Sequence, residues 1–140
     1  MPVPQEYKRA SHDVDKFMVD ARDISGLVTT HRTYTMVQGV LQAFRRRLDV
    51  REALRFADVL PPMLRALFVA DWDIDAPRLP FADRATMTRE VQALRPDHNF
   101  APDSSIGDVA AALRRNIDVA ALERVLAALP PGAADFWRSD

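Results

Sequence analysis

The chain has 140 residues, no cysteine and a formal net charge of −1, with 48% hydrophobic and 28% charged residues. This length suits a single domain over 1–140, long enough to bury a sizeable core without covalent staples. The absence of cysteine excludes disulfides, thiol catalysis and cysteine-ligated metal, and the near-neutral charge gives no long-range pull toward nucleic acid or an anionic membrane.

Residues 1–9 carry two prolines and mixed polar groups and are expected to fray. From about Ser11, Val14, Phe17, Met18 and Ala21 fall on one helical face, with a stop expected between Asp23 and Gly26. Thr29 or Thr30 offers the next N-cap. Val37, Val40, Leu41, Phe44 and Leu48 then form an amphipathic stripe. Asp49 to Glu52 has capping-box spacing, opening a helix expected to bury Val50, Ala53, Phe56, Ala57 and Leu60. The Pro61–Pro62 pair closes that helix and opens a short one with Leu64, Leu67 and Phe68. Residues 71–82 read as an irregular link. Met87, Val91 and Leu94 mark another helix, and Arg95 to Asp103 a loop. Ser104 or Ser105 is expected to cap a helix carrying Ile106, Val109, Ala110, Leu113 and Ile117. Asp118 is expected to cap a helix burying Val119, Leu122, Val125, Leu126 and Leu129. Pro130–Pro131 is expected to open a last turn with Phe136 and Trp137. No segment reads as a convincing strand. The fold class is therefore all-α, a compact array of about seven or eight helices.

The second half restates the first. With an offset of 69, Val40, Ala43, Arg45, Arg46, Asp49, Val50, Arg55, Leu60, Pro61 and Pro62 fall on identical residues, from Val109 to Pro131. Phe68 falls on Trp137. Two pseudo-repeats are expected, about 11–72 and about 82–138, packing on each other because neither half is comfortable alone.

The pattern Val40-Leu41, Phe44-Arg45, Arg47-Leu48, Glu52-Ala53, Leu60-Pro61, Leu64-Arg65, Phe68 and Trp72, followed by Leu129-Pro130 and Phe136-Trp137, resembles a family of small bacterial proteins, the domain of unknown function 2267 family. The resemblance covers nearly the whole chain. It implies an all-helical bacterial domain with no assigned activity, of a kind likened to globin-like topologies. It supplies no catalytic residues and no haem ligand.

The sharpest charge feature is Arg45, Arg46 and Arg47 with Arg114 and Arg115. These arginines, with Trp72, are the candidate anion or partner contacts. Three consecutive residues span about 200° of a helix, so they splay rather than line one stripe. A role at the helix end, paired with Asp49, Glu52, Asp58 or Asp118, is the simpler reading. Asp71, Asp73 and Asp75 alternate as in a calcium loop, but positions 76 and 82 are alanine where such a loop needs glycine and glutamate. His12, His31 and His98 have no partners at metal-ligand spacing, and Ser104 and Ser105 lack nucleophile-elbow glycines. Trp72 and Trp137 are expected to plug the two halves, each partly buried.

No catalytic, metal or cofactor set is visible. The leading expectation is a non-enzymatic interaction or accessory protein with an unknown protein partner, as monomer or homodimer. The alternative is a small-ligand binder with an apolar pocket between the repeats, and nucleic-acid binding through the arginines comes last. No run reaches the ~20 apolar residues of a membrane helix. The opening MPVPQEYKRASHD has no apolar secretory core, so a cytoplasmic location is expected.

Overall fold

A computed structural model describes residues 2–139, and among them every regular element is helical. The α-helices are α1 (Gln5–Lys8), α2 (Ala10–Ser25), α3 (Thr30–Arg45), α4 (Val50–Ala57), α5 (Pro62–Val69), α6 (Arg84–Ala93), α7 (Ser105–Asn116), α8 (Val119–Ala128) and α9 (Ala133–Phe136). A 3-10 turn, Pro96–His98, interrupts the loop before α7. The terminal stretch expected to fray holds the single turn α1.

α3 is the central helix. It packs on α2, α5, α6 and α7. Its crossing with α6 is close because Gly39 has no side chain: a Cβ there would lie 2.8 Å from the Val91 carbonyl oxygen and 3.0 Å from its Cγ1. The core centre is aromatic. Phe44 contacts Phe56 edge-on at 4.7 Å, Phe136 at 5.0 Å and Trp137 edge-on at 5.4 Å. Phe56 also stacks on Trp137 at 5.4 Å. Such ring pairs add about 0.5–1.5 kcal/mol each beyond their area. Leu48, Leu60, Leu113 and Leu129 are buried as their spacing requires, while Ile117 and Val125 are half-buried against the same core.

The aspartate caps form as their spacing predicts. The Glu52 amide donates to Asp49 Oδ1 at 2.8 Å, and the Asp49 amide to Glu52 Oε1 at 2.9 Å, completing the box. The Ala121 amide donates to Asp118 Oδ1 at 3.2 Å, without a reciprocal acid. Thr29 caps α3.

Other expectations need correction. Val50 and Val119 are 40% and 39% exposed. Each is the first residue of its helix, one turn beyond the stripe that meets the core. Ser104 is not a side-chain cap: its backbone sits near φ −86°, ψ 4°, not the extended geometry that aims a hydroxyl at the first amides. Its hydroxyl donates instead to Asp108 Oδ2 at 2.6 Å, and the Ser105 hydroxyl is buried without a partner. Pro130–Pro131 does not itself open α9. The opening falls to Gly132 at φ 103°, where a Cβ would lie 2.6 Å from the Phe81 ring. Trp137 is not a partly buried plug but is fully buried at the core centre; Trp72 is half-buried.

Candidate functional site

The repeated arginines are built largely into the fold. Arg45 ends α3 and is 6% exposed. Its Nη1 donates to the carbonyls of Phe68 and Ala70, both at 2.9 Å, satisfying groups left free at the end of α5. Arg114 donates from Nε at 3.1 Å and Nη2 at 3.0 Å to the Trp137 carbonyl. Phe68 and Trp137 are counterparts at the offset of 69, so the same bond joins the same helix ends in both halves. Burial, then the neighbouring Arg46 charge, lowers the Arg45 pKa from the usual arginine value.

Arg47 turns the other way. Its Nη1 and Nη2 grip Glu90 at 2.8 and 2.6 Å, while Nη1 also donates to the Ala43 carbonyl at 2.7 Å and Nε to the Pro80 carbonyl at 3.2 Å. The Arg47 hydrogen bonds, then its charge, hold Glu90 below the usual carboxylate range against the opposing effect of burial. The carboxylate partners are thus Glu90 for Arg46 and Arg47, and Glu123 for Arg114, not the sequence-near Asp49, Glu52, Asp58 and Asp118. Long-range packing of α6 and α8 supplies them, which sequence proximity could not show. Arg115 is exposed.

Arg45, Arg46 and Trp72 line one cleft of about 420 Å³, and the Arg45 guanidinium carbon lies 5.4 Å from the Trp72 ring centroid. Asp49, Asp71, Asp73 and Arg78 share the cleft, so its charge is mixed. Arg47, Arg114 and Arg115 do not line it. Among the described residues, no group of three or more histidine and acidic side chains is placed to hold a metal ion. No helix there is long and apolar enough to cross a membrane.

A second surface was not singled out by the sequence. α2, α3 and α5 line a groove of about 740 Å³. Val14, Met18, Leu67, Ala66 and Ala70 supply its apolar lining, and small Ala66 and Ala70 leave room for a bulky occupant. Val19, Tyr34 and Met63 also line it and remain 38%, 43% and 47% exposed, so the groove is an open trough and not a closed cavity. The polar lining is Asp15, Thr30, His31 and Tyr34. The available signal was the placement of Val19, Tyr34 and Met63 off the core-facing stripes.

The family model for an uncharacterized conserved protein family, DUF2267, matches residues 14–136. The chain belongs to the DUF2267 family. The DUF2267 match takes in every residue lining the groove and both arginine turns. No curated protein matches the sequence.

Proposed function

We propose that this DUF2267 protein is a non-enzymatic, cytoplasmic bacterial interaction module and that the groove between α2, α3 and α5 is its receiving surface. The supporting observation is the groove itself: an apolar trough whose lips leave Val19, Tyr34 and Met63 in solvent. Isolated exposed apolar residues are ordinary, but several around one trough fit a partner-binding surface. The two pseudo-repeats, taken as superposable units, then serve as scaffold. Nucleic-acid binding is disfavoured, since Arg45, Arg47 and Arg114 each turn donors inward onto carbonyls or carboxylates of the fold. A volume of about 740 Å³ also lies in the range of small-molecule sites, so a small apolar ligand is the second reading. That site draws its lining from residues 14–70 alone and not from the space between the halves.

The test uses an uncharged solvatochromic dye. Wild-type protein should bind it with one-to-one stoichiometry and a blue shift. Ala66→Trp, which fills the trough, should abolish binding, while Leu54→Glu on the exposed face of α4 should leave it intact. Dye binding that survives Ala66→Trp, or none at all, would overturn the reading.

A further inference from the structure

The groove carries one charged group without a partner. Asp15 lies on its wall, exposed, and makes no ion pair or side-chain hydrogen bond with the described residues. Its helical neighbours are engaged elsewhere: Lys16 pairs with Asp20 at 3.1 Å and reaches Asn116 Oδ1 at 3.0 Å, and Arg9 lies 3.8 Å from Asp13. The remaining polar lining, Thr30 and His31 in the first turn of α3 and Tyr34 one turn on, contributes no second carboxylate. Thr29 already takes up the Arg32 amide at that helix start, at 3.2 Å. The trough therefore combines an apolar floor, two small alanines and a single negative wall group.

From this we infer that the groove receives an amphipathic α-helix of a partner protein, its apolar stripe on Met18, Leu67, Ala66 and Ala70, and a lysine or arginine beside the stripe facing Asp15. The inference rests on the groove being the receiving surface and names what occupies it. An open trough can hold a small apolar molecule on its floor but leaves much of that molecule in solvent, whereas tight small-molecule sites enclose most of their ligand. A helix needs only one face covered, with anchors at i, i+3 or i+4, and i+7. Methionine suits such a surface because its flexible thioether adapts to differing side chains, and Met18 and Met63 both line the trough. The charge sets polarity: an acidic helix meets Asp15 with repulsion, a basic one with attraction.

The experiment uses fluorescein-labelled helical peptides of about 16 residues with leucines at i, i+4 and i+7 on an alanine–glutamine background. Members differ at one flanking position, which carries Lys, Gln or Glu, placed at either end of the stripe. Anisotropy titrations against wild-type protein should rank Lys above Gln above Glu, with Lys over Glu by about fivefold, as a solvent-screened ion pair allows. Asp15→Asn should reduce the preference to under about twofold, and Asp15→Lys should invert it. Ala66→Trp should abolish binding of every peptide. Equal binding of the Lys and Glu peptides, or a preference that survives Asp15→Asn, overturns the inference. Dye binding in the groove with no peptide binding also overturns it and leaves the groove reading standing; loss of both dye and peptide binding overturns both.

Discussion

Replacing Arg47 with methionine removes the guanidinium while keeping most of the stem volume. The Arg47 side chain is 2% exposed and grips a glutamate that is 23% exposed. Deleting one member of a buried ion pair costs about 3–5 kcal/mol, because the other charge is stranded. Glu90 is partly solvated and keeps Arg46 at 3.4 Å, so the expected cost is about 2–3 kcal/mol. Arg46→Met, on an exposed side chain of the same cluster, should cost less than about 1 kcal/mol. The double variant Arg47→Met/Glu90→Met strands no charge and should recover at least about 1 kcal/mol of the Arg47→Met loss. Urea denaturation of the four proteins reads these values directly. The pH dependence has a defined sign. Glu90 has a lowered pKa in the folded state, first through its hydrogen bonds to Arg47. Its contribution is therefore full above the unfolded value, about 4.3, and disappears as pH falls through the lower folded value. The gap between wild type and Arg47→Met should be constant near neutrality and narrow in acid. A cost for Arg47→Met within about 0.5 kcal/mol of that for Arg46→Met, or a gap unchanged in acid, would refute the reasoning.

Asp49→Ala removes the carboxylate that the Glu52 amide donates to at 2.8 Å, leaving only the residue-49 amide on Glu52, and should cost about 1–2 kcal/mol; Asp118→Ala removes one longer bond, at 3.2 Å, and should cost about 0.5–1 kcal/mol, both by denaturation. Gly39→Ala should destabilise by about 1–3 kcal/mol, because its Cβ meets the Val91 carbonyl oxygen at 2.8 Å, backbone that cannot swing aside, as well as the Val91 Cγ1 at 3.0 Å, and a neutral result would contradict the close α3–α6 crossing. Leu60→Ala and Leu129→Ala should each cost about 2–5 kcal/mol; a denaturation midpoint unchanged by both would contradict the core assignment. Anisotropy with duplex and single-stranded oligonucleotides should show no submicromolar binding at physiological salt. A salt slope of several times about −0.9, removed by Arg45→Glu/Arg46→Glu/Arg114→Glu, would restore the nucleic-acid reading.

Much of the fold was legible where local chemistry decides it. Asp49, Asp118 and Thr29 opened helices because a cap needs only three or four neighbouring residues, and Phe44, Leu60 and Leu113 were placed inside by helical period. Ser104 failed as a cap because its backbone angles, which the sequence does not carry, turn the hydroxyl to Asp108. Trp137 was underestimated because its burial comes from Phe44 and Phe56, distant in sequence. The arginine partners Glu90 and Glu123 were hidden for the same reason: they arrive on other helices. The groove was least legible of all. Three helices line it, two of them far apart in sequence, and no local motif records their meeting; Asp15, His31 and Tyr34 border a groove only because α5 packs beside α2 and α3.

A benzophenone photoprobe in place of Tyr34 on the groove lip, compared with one at position 54 on the exposed face of α4, tests the central claim most directly when both proteins are irradiated in cells of the native host. The account predicts a discrete polypeptide adduct from position 34, absent from position 54 and lost when Ala66→Trp is added to fill the trough. Adducts of equal intensity from both positions, or an adduct of small-molecule mass from position 34 alone, would contradict a groove that receives a partner protein.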